Sequence, residues 1–162
     1  MEVTESEINK LVISGVERLD AITVILHEFV AWEKNRSGTI IITCYGKAWT
    51  ATWGSMGTGL IEFFLGCDEH YIAKNLDSHL EGDVVDTDKL NDMAEESGLN
   101  YGRDDPQNDH EMLAGLFGSD CSEWWYQMPK KSNHKYEYLC RIIKTVQSAL
   151  QVVKNRNVIN DH

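Results

Sequence analysis

At 162 residues, with 42% hydrophobic and 25% charged residues, the chain is long enough for one domain with a buried core and has the composition of a globular protein. No apolar run approaches the ~18 residues of a membrane helix, and the N-terminus lacks a basic, apolar leader, so we expect a cytoplasmic protein without membrane contact. The net charge of −11 argues against direct binding to nucleic acids, which requires a basic surface.

The first third of the chain predicts a three-stranded antiparallel meander. Strand signals cover residues 10–19, 22–33 and 40–53, where β-branched and aromatic residues alternate between two faces. Residues 35–38 supply the composition of a turn between the second and third strands. Gly46 interrupts the third strand, where it predicts a bulge or the close approach of another backbone.

The rest of the chain predicts helices and loops. Helical patterns cover residues 59–65, 69–80, 88–96, 106–117 and 136–153. Thr58, Asp68 and Thr87 are placed to cap the first three of these helices. The last helix has an apolar stripe wider than a coiled-coil seam, so we expect it to pack on the sheet. Strands followed by helices predict an α+β fold, with four or five helices packed mainly on one face of the sheet.

The chain is expected to form a single domain over residues 1–162. Two prolines and the absence of any low-complexity tract leave no obvious linker. The strands would occupy about residues 10–54 and the helices about residues 58–155, with frayed ends at 1–9 and 156–162. The sequence is compatible with a monomer and with a dimer.

Motifs of the common enzyme and nucleotide-binding families are missing. The sequence contains no GxGxxG, GxxxxGK[ST], GxSxG or HExxH. Residues 54–59 form a glycine-rich loop between a strand and a helix, so an enzyme or nucleotide-binding module that uses this loop stays an alternative. Cys67 and His70 form a CxxH pair, but a zinc site normally shows two such pairs. We therefore predict no catalytic residues, no metal and no cofactor.

An aromatic set lies on one predicted face of the third strand. Tyr45, Trp49 and Trp53 alternate along that face, with Lys47 between them. Such side chains could stack on the bases of a single nucleic-acid strand. The negative charge of the whole chain would oppose the approach of a nucleic acid. A nucleic-acid-associated protein is therefore kept as an alternative and ranked below a protein-binding function.

Charge is distributed unevenly along the chain. Residues 81–111 carry eleven acids and two bases, whereas residues 130–156 carry seven bases and one acid. The two segments could pair with each other or form solvated faces, and the acidic segment could instead be presented to a basic partner. The residues that we predict for this partner contact are Asp83, Asp86, Asp88, Asp104, Asp105 and Asp109, together with Trp49 and Trp53 as a second surface.

A longer motif suggests a biological setting. The run ITCYGKAWTATWGSMG, followed by FF and then by CDEHYIAKNL, resembles a family of proteins encoded by phages and prophages of enteric bacteria. The resemblance implies a phage accessory protein made in the bacterial cytoplasm, and it brings no catalytic residues. With the acidic segment, it predicts a protein that binds and inhibits or modulates a host protein or complex. Counter-defence, by an acidic surface that imitates DNA and occupies a nucleic-acid-binding partner, is one form of this function.

Overall fold

The computed structural model describes residues 3, 8–30, 35–99 and 106–160, with only the backbone described for 157–160. These residues belong to two compact units, Met1–Leu80 with Lys135–His162, and Glu81–His134. We call the first the sheet unit and the second the inserted unit, because its sequence interrupts that of the first. The expectation of a single domain stays a prediction, which stability measurements on the two units can test.

Within the described residues, the sheet unit contains four antiparallel strands in chain order. They are β1 (Asn9–Ile13), β2 (Ile22–Val30), β3 (Arg36–Cys44) and β4 (Lys47–Trp53). Ile22 lies opposite Cys44, and Ile42 lies opposite Trp49. Burial alternates along β2, β3 and β4, as expected for a sheet with one face against a core and the other less covered.

The predicted third strand is in fact a hairpin, which gives four strands instead of three. Tyr45 and Gly46 join β3 to β4 with φ angles of 47° and 72°. Positive φ at both positions is typical of a type I′ turn, whose twist matches that of paired strands, so Gly46 serves a turn and not a bulge. The turn predicted at residues 35–38 is also wrong, because residues 36–38 belong to β3. β1 ends at Ile13, well short of residue 19.

The rest of the described chain contains helices, one small sheet and the loops that connect them. The helices are α1 (Leu60–Gly66), α2 (Glu69–Leu76), α3 (Thr87–Glu96), α4 (His110–Phe117), α5 (Trp124–Gln127) and α6 (His134–Asn160). The small sheet pairs β5 (Asp83–Val85) with β6 (Lys130–Ser132), and a 3-10 turn covers Pro106–Asn108. α6 extends to Asn160, and the fraying expected at residues 156–162 stays a prediction. No helix in the described part of the chain has both the length and the apolar character needed to cross a membrane.

The core of the sheet unit lies between one face of the sheet and the helices α1, α2 and α6. Helix α6 contributes five side chains that are 0% exposed: Leu139, Ile142, Ile143, Val146 and Leu150. Burying each such side chain contributes about 1.5–3 kcal/mol, so α6 is the main cover of the sheet. The α+β fold with helices on one face of an antiparallel sheet is therefore confirmed.

The inserted unit has a smaller core of its own. Its buried members are Val85, Leu90, Ala94, Met112, Leu113 and Trp124. The two ends of the unit are tied together, since the Asn133 N–H donates to the Gly82 carbonyl and the Asp86 N–H donates to the Pro129 carbonyl, each at 2.8 Å. The pairing of β5 with β6 thus closes the insertion where it enters and leaves the sequence of the sheet unit.

Candidate functional site

Most of the net charge belongs to the inserted unit. Residues 81–134 contain thirteen acids and four bases, which gives −9 of the chain's −11. The other residues contain thirteen acids and eleven bases and are close to neutral. The acidic character of the protein is therefore a property of this unit.

Helix α3 presents acids on the side opposite to its buried residues. Leu90 and Ala94 are 0% exposed and face the core of the inserted unit. We call the exposed acids on the other side the α3 acidic stripe: Asp88, Asp92, Glu95 and Glu96. The four charges lie over nine helical residues, a rise of about 12 Å, which places about one charge every 4 Å. One strand of DNA carries a charge every ~3.4 Å, so the spacing of carboxylates along the stripe is comparable to that of phosphates.

The acids at the C-terminal end of the stripe oppose the formation of their own helix. Glu95 and Glu96 are in the last turn of α3, which contains no basic residue. The negative end of the helix dipole disfavours carboxylates there, and Asp92 and Glu96 repel each other at a spacing of four residues. Helix α2 has the favourable arrangement, with Glu69 in its first turn and Lys74 in its last. Helix stability therefore does not explain the C-terminal acids of α3.

Lys131 neutralises the N-terminal end of the stripe. Its Nζ lies 3.1 Å from Asp86 Oδ1 and 3.1 Å from Asp88 Oδ2. The hydrogen bond from Lys131 lowers the pKa of Asp86, and the bonds to Asp88 and Asp86 raise the pKa of Lys131. Asp86 also caps α3 by accepting from the Lys89 N–H at 3.4 Å. Asp86 and Asp88 therefore have an internal partner, and Asp86 has a structural role as well.

Other bases of residues 130–156 pair within the sheet unit. Lys144 Nζ lies 2.8 Å from Glu69 Oε1, and Lys154 Nζ lies 2.8 Å from Glu62 Oε1. Each lysine, through its hydrogen bond, lowers the pKa of its glutamate partner. Among the ion pairs of the described residues, Lys131 connects the basic segment to the acidic segment, whereas Lys144 and Lys154 pair with acids of the sheet unit.

The remaining predicted contact residues lie in different environments. Asp83 is exposed on β5, whereas Asp104 and Asp105 lie outside the described residues. Asp109 is only 8% exposed, and its Oδ1 accepts a hydrogen bond from the Met112 N–H at 3.2 Å. It therefore caps α4 and contributes little to the charge of the surface. Asp92, Glu95 and Glu96 were not among the predicted contacts, although their helical spacing on one side of residues 88–96 is visible in the sequence.

The tryptophans predicted as a second surface lie in the core. Trp49 and Trp53 are each 7% exposed, and the ring of Trp53 lies 5.3 Å from that of Phe63 and 6.3 Å from that of Phe64. Tyr45 lies in the β3–β4 turn and is 79% exposed. The three aromatic residues therefore do not form one exposed face, and the tryptophans are not accessible for stacking on bases.

The glycine-rich loop leads into a helix whose first N–H group already donates to a carboxylate. Glu28 Oε1 accepts a hydrogen bond from the Leu60 N–H at 2.5 Å. A phosphate would compete with this carboxylate for the same end of α1 and would be repelled by its charge. Gly59 occupies the N-cap position and makes no side-chain capping bond of its own, so the cap predicted at Thr58 is wrong. The local geometry gives no support to a nucleotide site.

The CxxH pair does not extend into a metal centre. His70 Nδ1 lies 2.8 Å from Tyr136 Oη, and no group of three or more His, Cys, Asp or Glu side chains converges among the described residues. Burial raises the pKa of the Cys67 and Cys140 thiols. A raised pKa keeps a thiol protonated near neutral pH, which makes it a poor nucleophile.

Comparison with known proteins finds a match among protein families. A family model described as a phage family matches residues 1–152. No curated protein and no solved structure matches the chain. The match covers the whole of the inserted unit with its acidic stripe, and the sheet unit up to residue 152. The chain therefore belongs to this phage family.

Proposed function

We propose that this phage protein binds a basic surface of a host protein or complex through the acidic side of its inserted unit, and thereby inhibits or modulates that partner. Membership of a phage family supports the host setting. The place of action that we propose is the cytoplasm of an enteric bacterial host. The observation that carries the proposal is the α3 acidic stripe, which is exposed and whose C-terminal acids are unfavourable for their own helix.

A nucleic-acid-binding host protein is the class of partner that this surface fits best. Such proteins have basic channels or patches that attract negative charge over long distances. Carboxylates at about one per 4 Å along α3 could occupy positions that backbone phosphates normally fill. By filling such a channel, the phage protein would exclude the nucleic acid, which is the action that counter-defence against a host nuclease requires.

The test compares two double variants with equal loss of charge. Asp92→Asn/Glu96→Gln removes two acids from the stripe, whereas Glu17→Gln/Asp20→Asn removes two exposed acids from the sheet unit. Each protein is immobilised and incubated with host lysate at about 0.05 M and about 0.5 M salt, and the captured proteins are quantified.

We expect the wild type and the sheet-unit variant to capture the same basic partner at low salt and to release it at high salt. The stripe variant should capture several-fold less, because charge complementarity mainly sets the association rate. Equal capture by all three proteins, or capture that salt does not weaken, would contradict the proposal.

A further inference from the structure

The two edges of the main sheet are packed differently. Helix α2 packs closely against the edge strand β4. β1, the other edge, has no strand beyond it among the described residues. It contains no proline, and Lys10 is its only charged residue. Exposed edges are usually protected by charges, prolines or covering elements, because their unpaired N–H and C=O groups can accept another strand. β1 is therefore suited to strand addition.

β1 also forms one wall of an open groove whose other wall is α6. The groove has a volume of about 380 Å³ and lies entirely in the sheet unit. Its apolar lining comes from Leu11, Val12, Ile13, Ala149, Val152 and Val153. This lining explains the width of the apolar stripe on α6, since these helix residues extend beyond the side chains that are fully buried on the sheet.

Among the described residues that line the groove, one is charged. Arg156 is exposed, contributes to the lining, and has no acidic partner among the described residues. A ligand that carries a carboxylate would pair with this guanidinium while its apolar side chains cover the groove. Val152 is 49% exposed and Val12, on β1, is 62% exposed, so apolar surface is available for such burial.

We propose that this groove binds an extended apolar peptide segment of a partner protein, which adds to β1 as a fifth strand and places a carboxylate on Arg156. In strand addition the main chain supplies hydrogen bonds, and every second side chain points into the groove and gives specificity. This surface is distinct from the α3 acidic stripe and would recognise a different chemistry.

The size and charge of the groove favour a peptide over a second copy of the chain. Five residues of β1 span about 17 Å, and a helix is about 10 Å wide, so the patch covers roughly 200 Å². A stable protein dimer buries about 800 Å² on each partner. Two copies facing each other would also bring two Arg156 side chains to one interface, whereas a carboxylate neutralises the charge.

The test uses two fluorescent hexapeptides with amidated C-termini, Thr-Val-Thr-Val-Thr-Asp and Thr-Val-Thr-Val-Thr-Asn. Binding to the full chain is followed by fluorescence anisotropy, and the site is located by amide hydrogen exchange. The variants are Arg156→Gln, Val152→Asp and the control Val30→Asp, which changes a valine that is 72% exposed and outside the groove.

We expect the Asp peptide to bind several-fold more tightly than the Asn peptide and to slow exchange in β1. Arg156→Gln should abolish the difference between the peptides, Val152→Asp should weaken both at least tenfold, and Val30→Asp should change neither. The proposal would be overturned if neither peptide binds at about 1 mM, since a dissociation constant of that size already corresponds to weak affinity. Binding that Val152→Asp leaves unaffected would also overturn it. So would self-association of the free chain that Val152→Asp abolishes.

Discussion

The sheet unit and the inserted unit differ in the size of their cores and in their net charge. The sheet unit has twice the sequence length, yet its core contains twenty buried residues among those described, against six in the inserted unit. The inserted unit carries nearly all of the net negative charge. Because apolar burial is the main source of stability, we expect the inserted unit to be the less stable of the two. The difference suggests that one unit provides a scaffold while the other presents a charged surface.

Ile143→Asp should have the largest effect on stability, because it disrupts the core of the sheet unit. Ile143 is 0% exposed in the middle of α6, so the variant removes apolar packing and buries an unpaired carboxylate. We expect a loss of more than about 4 kcal/mol in the free energy of unfolding of the sheet unit, measured by urea denaturation. Melting within a degree or two of the wild type would show that α6 does not dock on the sheet.

Leu90→Ala tests whether the inserted unit depends on its own small core. Leu90 is 0% exposed, and truncating such a leucine typically costs about 2–5 kcal/mol. Amide hydrogen exchange should accelerate in Glu81–His134 while β2 and β3 keep their protection. An equal loss of protection in β2 and β3 would mean that the two units unfold together, as the single-domain prediction requires.

Variants of Asp109 test whether this acid acts as a helix cap and not as a surface charge. Asp109→Ala removes the cap of α4 and should cost about 1 kcal/mol, whereas Asp109→Asn keeps a capping oxygen and should cost less. Thermal melting measures both variants. If Asn destabilises the protein as much as Ala does, the negative charge of Asp109 matters more than its capping bond.

The ionisation of Tyr138 should have the smallest effect on stability, and this effect is confined to alkaline pH and to the sheet unit. The hydrogen bond with Cys44 and burial raise the pKa of Tyr138 to about 12. An unfolded tyrosine has a pKa near 10, so between about pH 10 and 12 the unfolded chain loses a proton that the folded chain retains. This contribution is complete below pH 10 and is lost as the pH rises.

Tyr138→Phe removes the titrating group, so its stability should decline less than that of the wild type across the alkaline range. Urea unfolding at pH 8 and pH 11 provides the comparison. Parallel declines in the two proteins would show that Tyr138 is not protected from ionisation in the folded state.

Periodic patterns allowed much of the sheet unit to be predicted. Alternating residues indicated β2 and β3, and the spacing of apolar residues indicated α6 on the sheet. The Tyr45–Gly46 turn was missed because it lacks the Asn-Gly or Asp-Gly pair that usually marks a type I′ turn. A signal was nevertheless present: large buried residues occupy even positions before Tyr45, as in Ile42, and odd positions after Gly46, as in Trp49.

The inserted unit was less predictable, because its boundaries depend on contacts between distant residues. β5 and β6 have three residues each and are mostly exposed, so they leave almost no pattern in the sequence. The concentration of acids was evident from composition, but which acids face solvent depends on helix geometry. Asp109 turned out to be a buried cap, whereas Asp92 and Glu96 lie exposed on α3.

The rate of association between the phage protein and its purified host partner, measured over a range of ionic strengths, tests the central claim most directly. For the wild type and for Glu17→Gln/Asp20→Asn, the rate constant should fall steeply as salt increases, because the stripe attracts a basic surface. For Asp92→Asn/Glu96→Gln, the rate constant at low salt should be lower and its dependence on salt shallower. Equal rate constants and equal salt slopes for all three proteins would show that the α3 acidic stripe is not the binding surface.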